Sequence, residues 1–105
     1  GWSACTGDLD WVLRPLLATS SFPPANSNYA YYSNPKLDSL LTAALKTTDR
    51  AEKTKIYDEA QELIWKDAPW VFLVVDQGIS ARSANLTGFY SLKDGGFNFL
   101  EADLK

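Results

Sequence analysis

DRAEKTKIYDEAQELIWKDAPWVFLVV, residues 49–75, changes its hydrophobic period half-way along. Its first part predicts a helix that starts on a capping box: Asp49 accepts from the backbone N–H of Glu52, and the Glu52 side chain returns the bond. Ile56, Ala60, Leu63 and Ile64 form the inner stripe, widened by Tyr57 and Trp65. Lys53, Lys55, Asp58, Glu59 and Glu62 take the solvent face. Pro69 closes the pattern, and Trp70-Val-Phe-Leu-Val-Val75 follows with no polar residue. A short apolar run after a proline predicts a strand buried on both faces.

Upstream, Asn34 and Pro35 supply an N-cap and an N1 proline. Leu37, Leu40, Leu41, Ala44 and Leu45 then recur at helical spacing, and Lys46 to Thr48 break the pattern. Two helices joined so tightly predict an antiparallel hairpin, Asn34 to Thr47 against Asp49 to Lys66. Downstream, Ile79–Arg82 and Leu86–Tyr90 are expected as short strands, and Asp94-Gly95-Gly96 as the turn before a strand in which Phe97 and Phe99 alternate. The sequon at Asn85–Thr87 is read as part of a strand turn.

The N-terminal third is different. Residues 8–18 predict a short helix with Asp8 or Asp10 at its N-cap and Val12, Leu13, Leu16 and Leu17 on its apolar face, limited upstream by Pro15. Residues 19–34 form a long polar loop; Tyr29, Tyr31 and Tyr32 could make an aromatic binding platform, but are expected rather to pin the loop onto the hairpin. Before all this stands Gly1-Trp-Ser-Ala-Cys-Thr-Gly-Asp-Leu-Asp-Trp11. Aromatic walls, small hydrogen-bonding residues and two carboxylates are what holding a polar small molecule requires. Trp2 and Trp11 serve equally as core residues, Asp8 and Asp10 as caps, Arg14 as a solvated helix residue or a carboxylate fork, and Cys5 as a small buried residue.

Composition narrows the chemistry. The 105 residues are 46% hydrophobic and 22% charged, as in an ordinary globular domain or a piece of one. A net charge of -3 offers no field for phosphate backbones, so no nucleic-acid partner is expected. No apolar run approaches the roughly 18 residues of a membrane span. One cysteine excludes an internal disulfide, and the absence of histidine excludes His-dependent nucleophilic and metal chemistry within these residues. Neither cofactor nor metal is expected. The chain holds no methionine, and we expect it to begin inside a longer polypeptide whose N-terminal part supplies neighbours for the apolar strand.

GWSACTGDLDW, then AYYSNPKLDSLL, then the block at 49–75 with its R…Y-x-E-A-Q…D-A-P pattern, resemble in combination an extracellular solute-binding protein of family 5. This is the dipeptide, oligopeptide and nickel group that serves ABC importers. The opening GWSACTGDLDWVLRPLLAT and the closing NLTGFYSLKDGGFNFLEADL look most like its glutathione-binding members. The resemblance covers essentially the whole chain but only the C-terminal part of the family's length. It implies an α+β fold, a piece of a two-lobed type II periplasmic binding protein in which a helical hairpin is followed by short strands. Residues 1–76 would belong to the second lobe and residues 77–105 would complete the first, with a crossing near Asp76 and Gln77.

The resemblance further implies binding without catalysis. The ligand would be a peptide or glutathione, and the partner a membrane permease. The location would be periplasmic or extracellular, either soluble or lipid-anchored. In peptide-binding relatives an Asp three residues after the loop Trp pairs with the ligand's α-amino group. Here that position is Cys5, whose neutral thiol cannot make a charge-assisted bond. Asp8 and Asp10 are the nearest replacements. The expected ligand-binding residues are therefore Trp2, Ser3, Cys5, Asp8, Asp10, Trp11 and Arg14, none of them catalytic. Two other readings compete: an interaction module with an exposed apolar strand, and a hydrolase using Asp8 and Asp10. A spacing of two residues gives the latter no opposed geometry.

Overall fold

A computed structural model of the chain describes residues 2, 6–75, 77–92 and 95–105. Helix α1 spans Asp10–Leu17 and runs into a single 3-10 turn, Thr19–Ser21. After the loop come α2, Pro35–Lys46, and α3, Arg50–Asp67. Four two-residue strands follow: β1 Leu86–Thr87, β2 Tyr90–Ser91, β3 Phe97–Asn98 and β4 Asp103–Leu104. They pair antiparallel and nested, β2 with β3 inside β1 with β4. Leu86 faces Leu104, and Tyr90 faces Asn98.

The α2–α3 hairpin forms as its cap signals require. The Asn34 side chain accepts from Lys36 N at 2.9 Å and Leu37 N at 3.4 Å, with Pro35 behind it as the first helical residue. Asp49 Oδ1 accepts from Glu52 N at 2.7 Å. The return half of the capping box is different from the expectation. Thr47 stands between: its hydroxyl donates to Glu52 Oε2 at 2.6 Å and accepts from Asp49 N at 3.2 Å. The three-residue connection brings Thr47 close enough to relay the bond. Helix α3 ends on Ala68 in the left-handed conformation (φ 44°), its N–H bonded to Ile64 O, with Pro69 beyond.

Leu37, Leu41 and Ala44 of α2 meet Tyr57, Ala60 and Ile64 of α3, and α1 lays Leu13, Leu16 and Leu17 over them. Leu37, Leu41, Ala44 and Ala60 are wholly inaccessible. Each such leucine contributes about 1.5–3 kcal/mol by burial. Leu40, Ile56 and Leu63 pack at the edge of this cluster. Leu45 and Trp65 depart from the expected stripe and are exposed. Trp65 stacks instead on Phe72, ring centroids 5.6 Å apart.

The loop at 19–34 is organised by a residue the sequence did not single out. Asn28 is fully buried. Its amide donates to Ala18 O and Tyr32 O, and its Oδ1 accepts from Tyr32 N. Of the three tyrosines only Tyr32 pins the loop to the hairpin, donating to Asp67 Oδ2 at 2.6 Å; Asn34 Nδ2 donates to the same oxygen at 2.7 Å. Tyr29 and Tyr31 are exposed, and Tyr31 packs on Phe22.

Two strand expectations fail. Residues 70–75 have no regular secondary structure and pair with no strand among the described residues. Val71, Leu73 and Val74 are more than four-fifths exposed, and Val75 is 97% exposed. A strand buried on both faces needs neighbouring strands in a sheet and packed layers over each face, and among the described residues this run has no paired strand. Residues 79–82 likewise form no strand. The expected strand at 86–90 appears as β1 and β2, broken at Gly88. Phe97 and Phe99, two residues apart, both pack on Phe89, as a period of two requires, although β3 itself ends at Asn98. The turn residue Asp94 and the crossing residue Asp76 lie outside the described residues.

Candidate functional site

Helix α1 and the residues just before it position the candidate site. Asp8 and Asp10 are not its N-cap: Leu9 occupies that place and makes no side-chain cap. Asp8 instead bends the chain into the helix, its Oδ1 accepting from Asp10 N at 2.9 Å. The carboxylate then reaches α3. Lys53 Nζ donates to Oδ2 at 2.7 Å and the Tyr57 hydroxyl to Oδ1 at 3.1 Å. The bond from Lys53, then that from Asp10 N, hold Asp8 below its ordinary pKa. Burial, with the negative charge of Asp8, pushes Tyr57 up to about 12.

Asp10 lies one turn from Arg14, and the guanidinium grips it with two bonds, Nε to Oδ2 at 2.9 Å and Nη2 to Oδ1 at 2.7 Å. Nη2 also donates to Leu41 O at 2.8 Å, which ties α1 to α2. The Asp10 contact raises the Arg14 pKa further. Arg14 is therefore a structural clamp whose remaining nitrogen, Nη1, makes no hydrogen bond to the described residues.

Pro15 sits inside α1 and brings no N–H to the carbonyl four residues back. That carbonyl belongs to Trp11, and it accepts from Trp2 Nε1 at 2.9 Å. The proline thus continues the helix, with its missing bond made by a side chain from before it.

A groove of about 490 Å³ opens beside this helix, lined by Asp10, Trp11, Arg14, Pro15, Ser20 and Asn26 among others. Three of the residues expected from the sequence share it. Trp11, 56% exposed, forms its aromatic wall. Trp2 faces elsewhere, into a second cavity of about 500 Å³ with Leu16 and the segment Trp70–Val74. The two tryptophans do not form one aromatic box. Asp8 lines neither cavity. Ser3 and Cys5 lie outside the described residues. Ser20 and Asn26 of the groove were not anticipated, and only the length of their loop pointed to them. Among the described residues no three metal-ligating side chains gather, and no helix is long and apolar enough to cross a membrane.

No family model matches the chain. The glutathione-binding protein GsiB of Pectobacterium atrosepticum is 58% identical over 104 residues, 99% of the chain. GsiB of Salmonella typhimurium is 56% identical, and that of Escherichia coli K12 52% identical, each over all 105 residues. This chain is a homologue of part of the glutathione-binding proteins. The solute-binding resemblance in its sequence stands. The chain spans 20% of the length of these relatives. The solved structure of HbpA2 from Haemophilus parasuis superposes on 99% of the chain with a TM-score of 0.72 at 22% identity, again over 20% of that larger chain. At that identity the likeness concerns the fold, which is α+β.

Proposed function

We propose that this chain forms part of the substrate-binding component of an ABC importer and supplies one wall of the site for glutathione or a short peptide. The observation that carries the reading is identity of 52–58% over essentially the whole chain to proteins named for glutathione binding. The groove suits such a ligand. Glutathione carries two carboxylates, an amine, two amides and a thiol. Arg14 offers a free guanidinium edge, Asp10 a carboxylate, Ser20 and Asn26 neutral hydrogen-bonding groups, and Trp11 a face. The proposed ligand-binding set also takes in Ser3 and Cys5 from the same stretch of sequence, Trp2 at the second cavity, and Asp8, which acts on the groove through Asp10 and Trp11.

On this reading residues 1–76 belong to the second lobe and 77–105 finish the first, and the exposed run at 71–75 lies against strands from the rest of the polypeptide. The protein binds and hands on its solute without chemistry, outside the cytoplasm, to a membrane permease. Titration calorimetry of the full-length protein tests it. Reduced glutathione is expected to bind, and Arg14→Ala to weaken it. Absence of binding by glutathione and by di- and tripeptides at millimolar concentration rejects the reading.

A further inference from the structure

We infer that Lys53 and Tyr57 of α3 are positioning residues for the groove, acting through the Asp8 carboxylate to fix the first turn of α1. The inference rests on the groove being the ligand-facing surface proposed above.

Neither Lys53 nor Tyr57 lines the groove. Both converge on one carboxylate from 45 and 49 residues away. Lys53 also sits over the Tyr57 ring, 5.8 Å from its centroid, so the two donors are mutually oriented. Tyr57 is buried in the α2–α3 core, which makes it a rigid post.

The rest of α1 is secured independently. Arg14 bonds to Leu41 O, the Ala18 carbonyl to Asn28, and Thr19 N to Asp38. Asp8 is the side chain that joins the start of the helix to α3. It also sets the Asp10 amide, and the Asp8 carbonyl accepts from Trp11 N at 3.2 Å. Two of the groove's lining residues are thus bonded directly to the residue that α3 holds. An ion pair whose side chains are 28% and 37% exposed contributes little to global stability. Its larger effect is on placement, because binding groups act through geometry that small displacements degrade.

Calorimetry with reduced glutathione, together with hydrogen exchange over residues 8–14, tests this on the full-length protein. Lys53→Met and Tyr57→Phe are each expected to weaken binding about three- to tenfold. Lys53→Arg keeps the parent affinity, and Lys53→Met adds nothing further in an Asp8→Asn background. Exchange over residues 8–14 quickens in Lys53→Met and not in Lys53→Arg, while α2 keeps its protection. Parent-like binding by Lys53→Met, failure of Lys53→Arg to restore affinity, or unchanged exchange over 8–14 overturns the inference. A parent protein that binds no glutathione refutes the functional reading alone, since the exchange experiment still decides the placement.

Discussion

Trp2 donates its indole N–H to the carbonyl of Trp11, the helical acceptor that Pro15 deprives of its amide partner. A proline six positions into a helix ordinarily costs about 3 kcal/mol or more, in part through that orphaned carbonyl. Here the orphan has a partner, and the bond holds the Trp2 indole against the helix.

Trp2→Phe removes the donor and keeps the ring. We expect a loss of about 0.5–1 kcal/mol, because water reaches the half-exposed site and replaces part of the bond. Pro15→Ala returns an amide to the Trp11 carbonyl, so in that background Trp2→Phe should cost less. Denaturant titration of the four proteins measures the coupling. Equal costs in both backgrounds would show that the indole bond does not compensate for the proline.

At the other end of the hairpin, Asp is as good an N-cap as Asn in general, but not at residue 34. Asn34 Nδ2 donates to Asp67, and a carboxylate there would face another carboxylate. Asn34→Asp should lower Tm although the cap oxygen remains, and Asp67→Asn should restore it in the double variant. Asn34→Ala, which loses the cap itself, should cost about 0.5–2 kcal/mol.

Acid should act on Asp8. Its folded pKa lies below the ordinary 3.8, so its contribution is present above that value and is lost as pH falls through the folded value. Asp8→Asn should flatten this part of the stability curve. Tyr57 and Tyr32 behave oppositely. Both are raised from 10.0 to about 12, so their contribution is complete below pH 10.0 and is lost as pH rises through about 12. Thermal melts across both limits, with Tyr57→Phe and Tyr32→Phe as controls, check the signs.

Gly88 separates β1 from β2 at φ +69°, and a Cβ there would overlap the Glu101 carbonyl. Gly88→Ala should disrupt the pairing of Leu86 with Leu104 while α2 and α3 persist. Amide exchange in the nested strands against exchange in the hairpin measures this. Uniform protection in both would show that the backbone absorbs the overlap.

The hairpin was legible in sequence because its signals are local. Asn34–Pro35, Asp49 with Glu52, and apolar residues three and four apart each act within a turn or two. The site was legible in part. Trp11, Asp10 and Arg14 do share a groove, but Asp8 joins partners 45 and 49 residues away, a relation that no spacing rule encodes. Asn28 escaped notice because a buried amide that satisfies a loop looks like any loop asparagine. Trp70–Val75 was read by its composition alone. Composition marks an affinity for burial, and the residues that would meet it are not on this chain's described strands.

The position of that apolar run has a consequence for the order of folding. Every residue of the buried cluster falls between Leu13 and Ile64, so the three helices can close on themselves before residues 71–75 meet anything. What closes first then presents an exposed apolar run of Val71, Leu73, Val74 and Val75 that is paired with no described strand. In the longer polypeptide proposed above, that run would be where the remaining strands join. Without such a neighbour, an unpaired apolar run of this kind is a place where copies of a chain can pair.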